Sequence, residues 1–380
     1  MRVGVAFCVG VWYGLKEVIF MFEKTKALCD SFLEMGIPGF DLIVYKDGQQ
    51  ILRYMNGCSD IETKAPIGGK EKYHIFSCSK PITVTAAMQL WEKGLFRLED
   101  ELADYMPEFR NMTVKTEAGI VPAAVPIRIH HLFEMTAGFS YALHSPQLEK
   151  MRQETGGICR TRDVARYLAK EPLLFQPGDR YHYSLCHDVL AALVEVLSGQ
   201  LFADYVREHI FEPLGMTQSD FLLPMDRLGE VSTLHTYDET EGKARVLAMN
   251  EYRMGSEHAS GGAGCVSTVE DYIKFTEALR TGERLLKRST IRLITTDRLT
   301  PDQKRTFPSA TFCGYGLGMR VPVEGFSRRD YGWGGAAGAY LAIDEPNGIS
   351  LYYAQHMLSS PNRTLRGKIY TTVLEDLGLA

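Results

Sequence analysis

The spacing of apolar residues predicts strands near both ends of the chain and helices between them. An amphipathic pattern over 22–35 predicts a helix, and two extended runs follow at Phe40–Tyr45 and Gln50–Met55. The connection between the two runs, Lys46–Gln49, contains Asp-Gly, a dipeptide typical of β-hairpins. Ser79–Glu92 is apolar on most of its surface, which indicates a helix buried on all sides.

The middle of the chain, from about 125 to 284, is mostly helical in pattern, and strand character returns after 311. The predicted helices of the middle region are Leu185–Leu197, Ala203–Phe211 and Thr268–Leu279. The predicted late strands are Tyr315–Val321, Ala337–Ile343 and Ile349–Gln355, followed by a closing helix over 362–377. Strands at both ends with helices between them predict a mixed α/β (α+β) fold with one sheet built from both termini.

The length of 380 residues exceeds that of one typical domain, so we expect two structural units or one unit with a large insertion. Residues 21–122 and 285–380 are predicted to form the α/β sheet domain, and 123–284 an inserted helical domain, with the active site between them. Residues 1–20 are predicted to be an N-terminal extension or a leader. Their apolar run, Val3–Tyr13, follows a positive charge as in a signal peptide, but no cleavage site follows it.

Composition narrows the function classes. The chain is 45% hydrophobic and 23% charged, with a net charge of -5, as in an ordinary globular protein. No basic stripe suggests nucleic-acid binding, and the apolar N-terminal run is too short to span a membrane, so a membrane role is not expected. The eight cysteines are scattered without a C-x-x-C pair, so we expect free thiols and neither a zinc site nor another cofactor. Free thiols are typical of a reducing compartment, which favours a cytoplasmic location. The alternative is export through the N-terminal apolar segment.

The first candidate for chemistry is Ser77-Cys78-Ser79-Lys80, an S-x-x-K at the start of the predicted buried helix. Residues three apart on a helix share a face, so Lys80 is expected beside Ser77. A lysine in a dry pocket can accept the proton that makes a serine hydroxyl nucleophilic. The motif alone is weak, because one such spacing is expected by chance and Ser77 could simply cap the helix.

Further segments in a fixed order strengthen this interpretation. They are Leu90-Trp91-Glu92-Lys93-Gly94, Ile129-His130-His131-Leu132 with Thr136-Ala137-Gly138, Phe175-Gln176-Pro177-Gly178 with Tyr183-Ser184-Leu185, Pro213-Leu214-Gly215-Met216, Gly261-Gly262-Ala263-Gly264 with Ser267-Thr268 and Asp271, Tyr315-Gly316-Leu317-Gly318, and Trp333-Gly334-Gly335. Together with the S-x-x-K they resemble the serine β-lactamase, penicillin-binding and esterase superfamily, in its class C-like branch, from about 22 to 378. The resemblance implies the β-lactamase/transpeptidase-like fold, with an antiparallel sheet flanked by helices.

The resemblance also implies roles for individual residues. Tyr183 would be the second catalytic base, facing Lys80 and Ser77. The backbone amides of Ser77 and Ala336 would form the oxyanion hole. The residues expected to contact substrate are Leu185, Trp333, Gly334 and Gly335.

Two departures from the family pattern bear on the substrate. The asparagine of the family's Y-x-N is Leu185 here, and the lysine of its K-T-G is Trp333. Both changes make the pocket more apolar and remove a cation that can hold a substrate carboxylate. They favour a carboxylesterase-like serine hydrolase that acts through an acyl-enzyme on a small-molecule ester. The alternatives are a β-lactamase or D-alanyl/D-amino-acid peptidase acting on an amide, and a catalytically idle ligand-binding member.

Other reactive residues have plainer explanations. His130 and His131 are expected to be structural, because no third ligand is suitably spaced for a metal. Cys78 and Cys186 are expected to point into packing, as free cysteines usually do. The charged residues 328–330 are expected to form a solvated turn. The pattern leaves the oligomeric state open.

Overall fold

The computed structural model describes residues 22–282 and 284–380, so the predicted extension at 1–20 lies outside the described residues. The helices are α1 Glu23–Glu34, α2 Ser79–Glu92, α3 Leu102–Tyr105, α4 Ile129–Phe133, α5 Pro146–Glu154, α6 Thr161–Leu168, α7 Cys186–Ser198, α8 Phe202–Val206, α9 Glu212–Leu214, α10 Val269–Thr281, α11 Arg288–Ile294, α12 Pro301–Lys304 and α13 Lys368–Asp376. The strands are β1 Gly39–Lys46, β2 Gln49–Gly57, β3 Tyr73–His74, β4 Thr113–Thr116, β5 Gly119–Pro122, β6 His235–Asp238, β7 Lys243–Val246, β8 Val266–Ser267, β9 Gly314–Tyr315, β10 Arg320–Val321, β11 Tyr340–Asp344, β12 Ile349–Ala354 and β13 Met357–Leu358.

The main sheet joins the two ends of the chain. Its strand order is β11-β12-β1-β2, and every neighbouring pair is antiparallel. At its centre Ile43 of β1 lies opposite Tyr352 of β12. The predicted antiparallel sheet built from both termini is therefore confirmed.

Alternating side chains bury both faces of this sheet. Leu42 and Val44 point into one apolar cluster with Phe32 of α1 and Ile369 of α13. Ile43 points to the other face, where the ring of Tyr352 stacks on Tyr272 of α10 at 4.1 Å. Helices on both faces explain why these strands are apolar at nearly every position.

Helix α2 is the centre of the second, larger core. Its residues from Ser79 to Met88 are all buried, as the apolar composition predicted. It packs beside α7, which is equally buried at its start. Ser77 lies just before α2 and Tyr183 just before α7, so this packing brings the two residues together.

The length and apolar character of a helix decide whether it can cross a membrane. Taken singly, none of the described helices combines the length and the apolar character needed to cross a bilayer. Cys186–Ser198 and Phe202–Leu214 would do so only as a pair, and they meet at a bend of 80°.

Several late elements differ from their predicted bounds. Tyr315–Val321 is two short strands, β9 and β10, because residues 316–319 turn back between them. Residues 336–338 form a turn, so β11 starts at Tyr340 rather than at Ala337. The extended residues before that turn, 331–335, pair with β11 and form the edge segment, with Leu341 N–H donating to the Trp333 carbonyl at 2.9 Å. The closing helix, α13, begins at Lys368 because the preceding residues form turns.

The expected solvated turn at 328–330 is wrong in part. Asp330 is 1% exposed and accepts two hydrogen bonds from Arg328, both at 2.8 Å. Arg320 forms an ion pair with the same carboxylate, and Arg328 also donates a hydrogen bond to the hydroxyl of Tyr340. Charge alone predicts exposure, whereas here the charges neutralise one another inside the fold.

Candidate active site

Ser77 lies on a tight turn rather than within the helix that follows it. Residues Phe76–Cys78 form a 3-10 turn, and Phe76 has a φ of 47°, a left-handed conformation that costs energy for a bulky residue. Tyr272 fixes the turn by donating to the Cys78 carbonyl at 2.7 Å. The residue at the N-cap of α2 is Cys78, whose side chain makes no capping hydrogen bond, so Ser77 is not the helix cap.

Lys80 is fully buried beside this serine. Its Nζ donates to the Gly262 carbonyl at 2.7 Å and to Ser77 Oγ at 3.3 Å. The same Nζ lies 4.6 Å from the ring centre of Tyr183 and 5.7 Å from that of Tyr141. A carbonyl and two aromatic faces therefore hold the amino group in a site without bulk water.

Tyr183 also contacts Ser77. Its phenol donates to Ser77 Oγ at 2.6 Å, and its own oxygen accepts from the indole N–H of Trp333 at 3.4 Å. The ring is stacked between Tyr141, with centroids 5.4 Å apart, and Trp333, with centroids 5.9 Å apart. This stack fixes the phenol on the nucleophile, since a ring held on both faces has few alternative rotamers.

The glycines at 261–264 explain how Lys80 finds its acceptor. A Cβ on Gly261 would collide with the carbonyl of His187 in α7. Thr83 of α2 donates to the Gly261 carbonyl at 2.7 Å. The loop therefore fits between α2 and α7 only as bare backbone, and there it presents the Gly262 carbonyl to Lys80.

A buried carboxylate lies behind this loop. Asp188 Oδ1 accepts from Ser260 at 2.6 Å and is 3.4 Å from His258 Nε2. Burial would raise the pKa of Asp188, but the neighbouring imidazole of His258 and the hydrogen bond from Ser260 outweigh it and lower that pKa. Asp188 is therefore a negative charge in the interior that also contains Lys80.

The edge segment passes directly over the nucleophile turn. A Cβ on Gly335 would collide with the Ile75 carbonyl, so this close approach requires glycine. Ala336 packs in one apolar cluster with Phe76, the neighbour of Ser77. Among the backbone bonds of the described residues, the Ala336 N–H donates none, which leaves it available to a ligand.

Both the sequence and the fold match those of known proteins. A family model described as Beta-lactamase matches residues 25–368. The chain belongs to the Beta-lactamase family. Protein Rv1367c of Mycobacterium tuberculosis (strain ATCC 25618 / H37Rv) is 29% identical over 87% of this chain and 88% of its own. Esterase EstB of Burkholderia gladioli is 27% identical over 86% of this chain and 88% of its own.

A solved structure agrees on the fold. EstCE1, described as a hydrolase with promiscuous acyltransferase activity, superposes with a TM-score of 0.76 at 23% identity, covering 95% of this chain and 98% of its own. The predicted family and fold are confirmed, and the predicted class of enzyme, a β-lactamase-related serine hydrolase, agrees with the family.

Within this family arrangement one predicted contact residue is misplaced. Leu185 is 1% exposed and packs in the large core at the start of α7. At this burial its side chain offers almost no surface to a substrate. Trp333, which donates to Tyr183, and its neighbour Gly334 are partly exposed, and their contact with a substrate stays a prediction.

Two residues of the site went unnoticed in the sequence. Tyr141 stacks on Tyr183, and burial, followed by the charge of Tyr183, raises its pKa well above the ordinary range. Asp188 supports the loop that holds Lys80. Asp188 follows Tyr183 by five residues, and its place on the inner face of α7 was the one available signal.

The remaining reactive residues are occupied locally. His130 Nδ1 lies 3.0 Å from Glu134, and His131 Nδ1 accepts the Arg128 N–H at 3.1 Å, which supports their expected structural role. The cysteines within the described residues are free thiols, and Cys8 lies outside that part. Burial raises the pKa of Cys78 to about 12 and that of Cys186 to about 11, so both thiols stay protonated.

Proposed function

We propose that this protein is a serine carboxylesterase that works through an acyl-enzyme on Ser77. One observation carries the proposal: Ser77 Oγ lies between Tyr183 OH at 2.6 Å and Lys80 Nζ at 3.3 Å. A serine hydroxyl needs such a neighbour to take its proton before it can attack a carbonyl.

Acylation follows from this arrangement. Ser77 Oγ attacks the ester carbonyl carbon while its proton passes to the Tyr183–Lys80 pair, one member of which enters this step as the free base. The carbonyl oxygen becomes an oxyanion, which accepts hydrogen bonds from the amides of Ser77 and Ala336. The bond to the alcohol oxygen then breaks, and the alcohol leaves with the proton delivered by Tyr183.

Deacylation reverses these roles. A water molecule gives one proton to Tyr183 and attacks the acyl carbon with its oxygen. The bond to Ser77 Oγ breaks, the carboxylic acid leaves, and the proton returns to Ser77. The single relay therefore serves both half-reactions.

The surroundings of the relay support an ester rather than a carboxylate-bearing amide. At the position of the family's K-T-G lysine, Trp333 presents an aromatic face, and its N–H is already directed to Tyr183. A carboxylate placed in a dry site without a cation is costly, whereas an ester with an apolar acyl chain needs none. The similarity to EstB, an esterase by name, supports the same substrate class.

A substrate panel tests the proposal. We expect kcat/KM for p-nitrophenyl butyrate to exceed that for a chromogenic cephalosporin by at least roughly 100-fold, about 2.7 kcal/mol of transition-state discrimination. D-amino-acid amides should be turned over no better than the cephalosporin. Ser77→Ala is the control for background hydrolysis. Equal efficiency on the cephalosporin would favour the amide-directed alternative, and no turnover of any substrate would favour the idle one.

A further inference from the structure

Arg366 is a buried cation behind the proposed oxyanion hole. It is 9% exposed, and its Nη1 donates to the Gly335 carbonyl at 3.1 Å. Burial lowers the pKa of this guanidinium, and the charged groups that contribute next belong to Tyr353, Cys78, Arg363 and Tyr340, none of them a carboxylate. Its Nε has no hydrogen-bond partner among residues 22–282 and 284–380. Such a burial is expensive for a guanidinium.

The need of the Gly335 carbonyl for a hydrogen-bond donor does not explain why an arginine is buried here. The Gly335 carbonyl already accepts the Gly338 N–H at 3.0 Å, the bond that closes the turn after the edge segment. A carbonyl with one good partner can be left without a second at little cost. A neutral side chain at 366 would therefore keep the turn and avoid burying a charge.

The hydrogen bond from Arg366 is made to the peptide group that also carries the proposed oxyanion-hole N–H of Ala336. The Gly335 carbonyl and the Ala336 N–H belong to one peptide group. A cation at the oxygen end draws electron density toward the oxygen and makes the N–H a stronger donor, as in any chain of polarised hydrogen bonds. We propose that Arg366 is a positioning residue that polarises the Gly335–Ala336 peptide and so strengthens the oxyanion hole of Ser77. This rests on the proposed function above.

The field of Arg366 also reaches the nucleophile turn. Burial raises the pKa of Cys78, the residue after Ser77, and Arg366 is the strongest of the positive charges that oppose this rise, ahead of Lys80. An oxyanion that forms at the amides of Ser77 and Ala336 therefore develops within the same field.

The surrounding structure holds the arginine rigidly in place. The side chains of Gln355 and Asn362 are buried and exchange hydrogen bonds of 2.8 and 3.3 Å. The backbone carbonyl of Asn362 accepts the backbone N–H of Arg366 at 3.2 Å. A Cβ on Gly338 would collide with the side chain of Gln355. The turn that carries Arg366 and the turn after Ala336 are thus packed as one unit.

The test compares Arg366→Met with wild type in turnover of p-nitrophenyl butyrate and in inhibition by phenylboronic acid. The boron accepts the Ser77 oxygen, the serine proton passes to the Tyr183–Lys80 pair, and the negative tetrahedral adduct mimics the oxyanion. Removing a direct oxyanion donor costs about 10²–10³ in kcat, so we expect the loss of a polarising neighbour to cost about tenfold in kcat. KM should stay unchanged, and the inhibition constant should weaken by the same factor as kcat.

Arg363→Met is the matched control, because this exposed arginine lies in the same turn, whereas the hydrogen bond to the Gly335 carbonyl comes from Arg366. Both of its constants should stay within about twofold of wild type. Unchanged kcat and inhibition constant in folded Arg366→Met would overturn the inference while leaving the proposed function intact. A wild-type protein that neither hydrolyses the ester nor binds the boronic acid would instead overturn the proposed function.

If Arg366→Met does not fold, Arg366→Lys and Arg366→Gln decide. Lysine keeps the charge and glutamine keeps only a neutral donor, so the lysine variant should bind phenylboronic acid more tightly, by at least about threefold. Equal inhibition constants for these two variants would show that the charge has no part in the oxyanion hole.

Discussion

The phenol of Tyr183 donates to Ser77 Oγ at 2.6 Å, while the oxygen of the same phenol accepts the indole N–H of Trp333 at 3.4 Å. The tyrosine oxygen thus lies between the nucleophile and a donor that can stabilise its anion. The amino group of Lys80 lies 4.6 Å from the centre of the same ring. These contacts make Tyr183 the group best placed to exchange a proton with Ser77.

Tyr183→Phe removes that exchange and keeps the stacked ring. We expect kcat for p-nitrophenyl butyrate to fall by about 10² or more, as after loss of a positioned proton carrier. The melting temperature should change little. Tyr181→Phe is the control, since it deletes a buried phenol two residues away that does not contact Ser77. A Tyr183→Phe enzyme with near-normal kcat would contradict the role of Tyr183.

Lys80→Met tests whether lysine and tyrosine form one relay. The single variant should also lose about 10² in kcat, and the Lys80→Met/Tyr183→Phe double variant should be little worse than either single one. The reason is that a relay broken at one member no longer benefits from the other. Losses that multiply in a double-mutant cycle would show two independent functions.

Trp333→Lys tests the basis of substrate preference. It places a cation where the family's K-T-G has one and removes the N–H that Trp333 gives Tyr183. The ratio of cephalosporin to ester kcat/KM should rise by at least about tenfold, as expected for pairing a buried carboxylate. Trp333→Phe is the control without a charge, and it should leave that ratio low. An unchanged ratio in the lysine variant would mean that another group controls the preference.

Buried histidines predict a loss of stability in acid. Burial, followed by the neighbouring charges of Lys80 for His187 and of His74 for His356, lowers the pKa of each histidine to about 3. The unfolded chain binds protons below about pH 6.5 that the folded chain excludes, so the free energy of unfolding falls as the pH is lowered. From pH 7 to 5 we expect a loss of about 2 kcal/mol for each histidine.

Urea unfolding at several pH values, compared between wild type and His356→Gln, measures this loss. The variant should lose about 2 kcal/mol less than wild type between pH 7 and 5, whatever its stability at pH 7. The backbone N–H of His74 donates to Nε2 of His356 at 3.1 Å, and the side-chain oxygen of glutamine can accept the same hydrogen bond. Parallel pH profiles for the two proteins would show that His356 does not contribute.

The residues that were predictable from sequence have local signals. Ser77 and Lys80 follow helical spacing, and the central strands follow alternation at both ends of the chain. Tyr183 was found through the family resemblance, because it lies 103 positions after Lys80 and no local rule joins them. Its contact with Ser77 arises only when α7 packs on α2.

The remaining features depend on tertiary packing. The contacts that give Asp188, Tyr141 and Arg366 their places at the site are made with residues far away in sequence. The sequence pattern around each of the three therefore does not distinguish it from other acidic, aromatic or basic residues. The charges at Arg328 and Asp330 were placed in solvent because a sequence does not show that they neutralise each other. Leu185 was expected at the surface of the pocket because the family asparagine lies there, yet its apolar side chain packs into the core.

The central claim, that Ser77 is the nucleophile of an acyl-enzyme, is tested most directly by mass spectrometry after treatment with a fluorophosphonate. The result we predict is one adduct per chain, located on Ser77 by peptide mapping, and absent from a folded Ser77→Ala variant that no longer hydrolyses p-nitrophenyl butyrate. Ser79, two residues away and fully buried, is the internal control and should stay unmodified. An adduct on Ser79 or on any other serine, or full activity in Ser77→Ala, would contradict the claim.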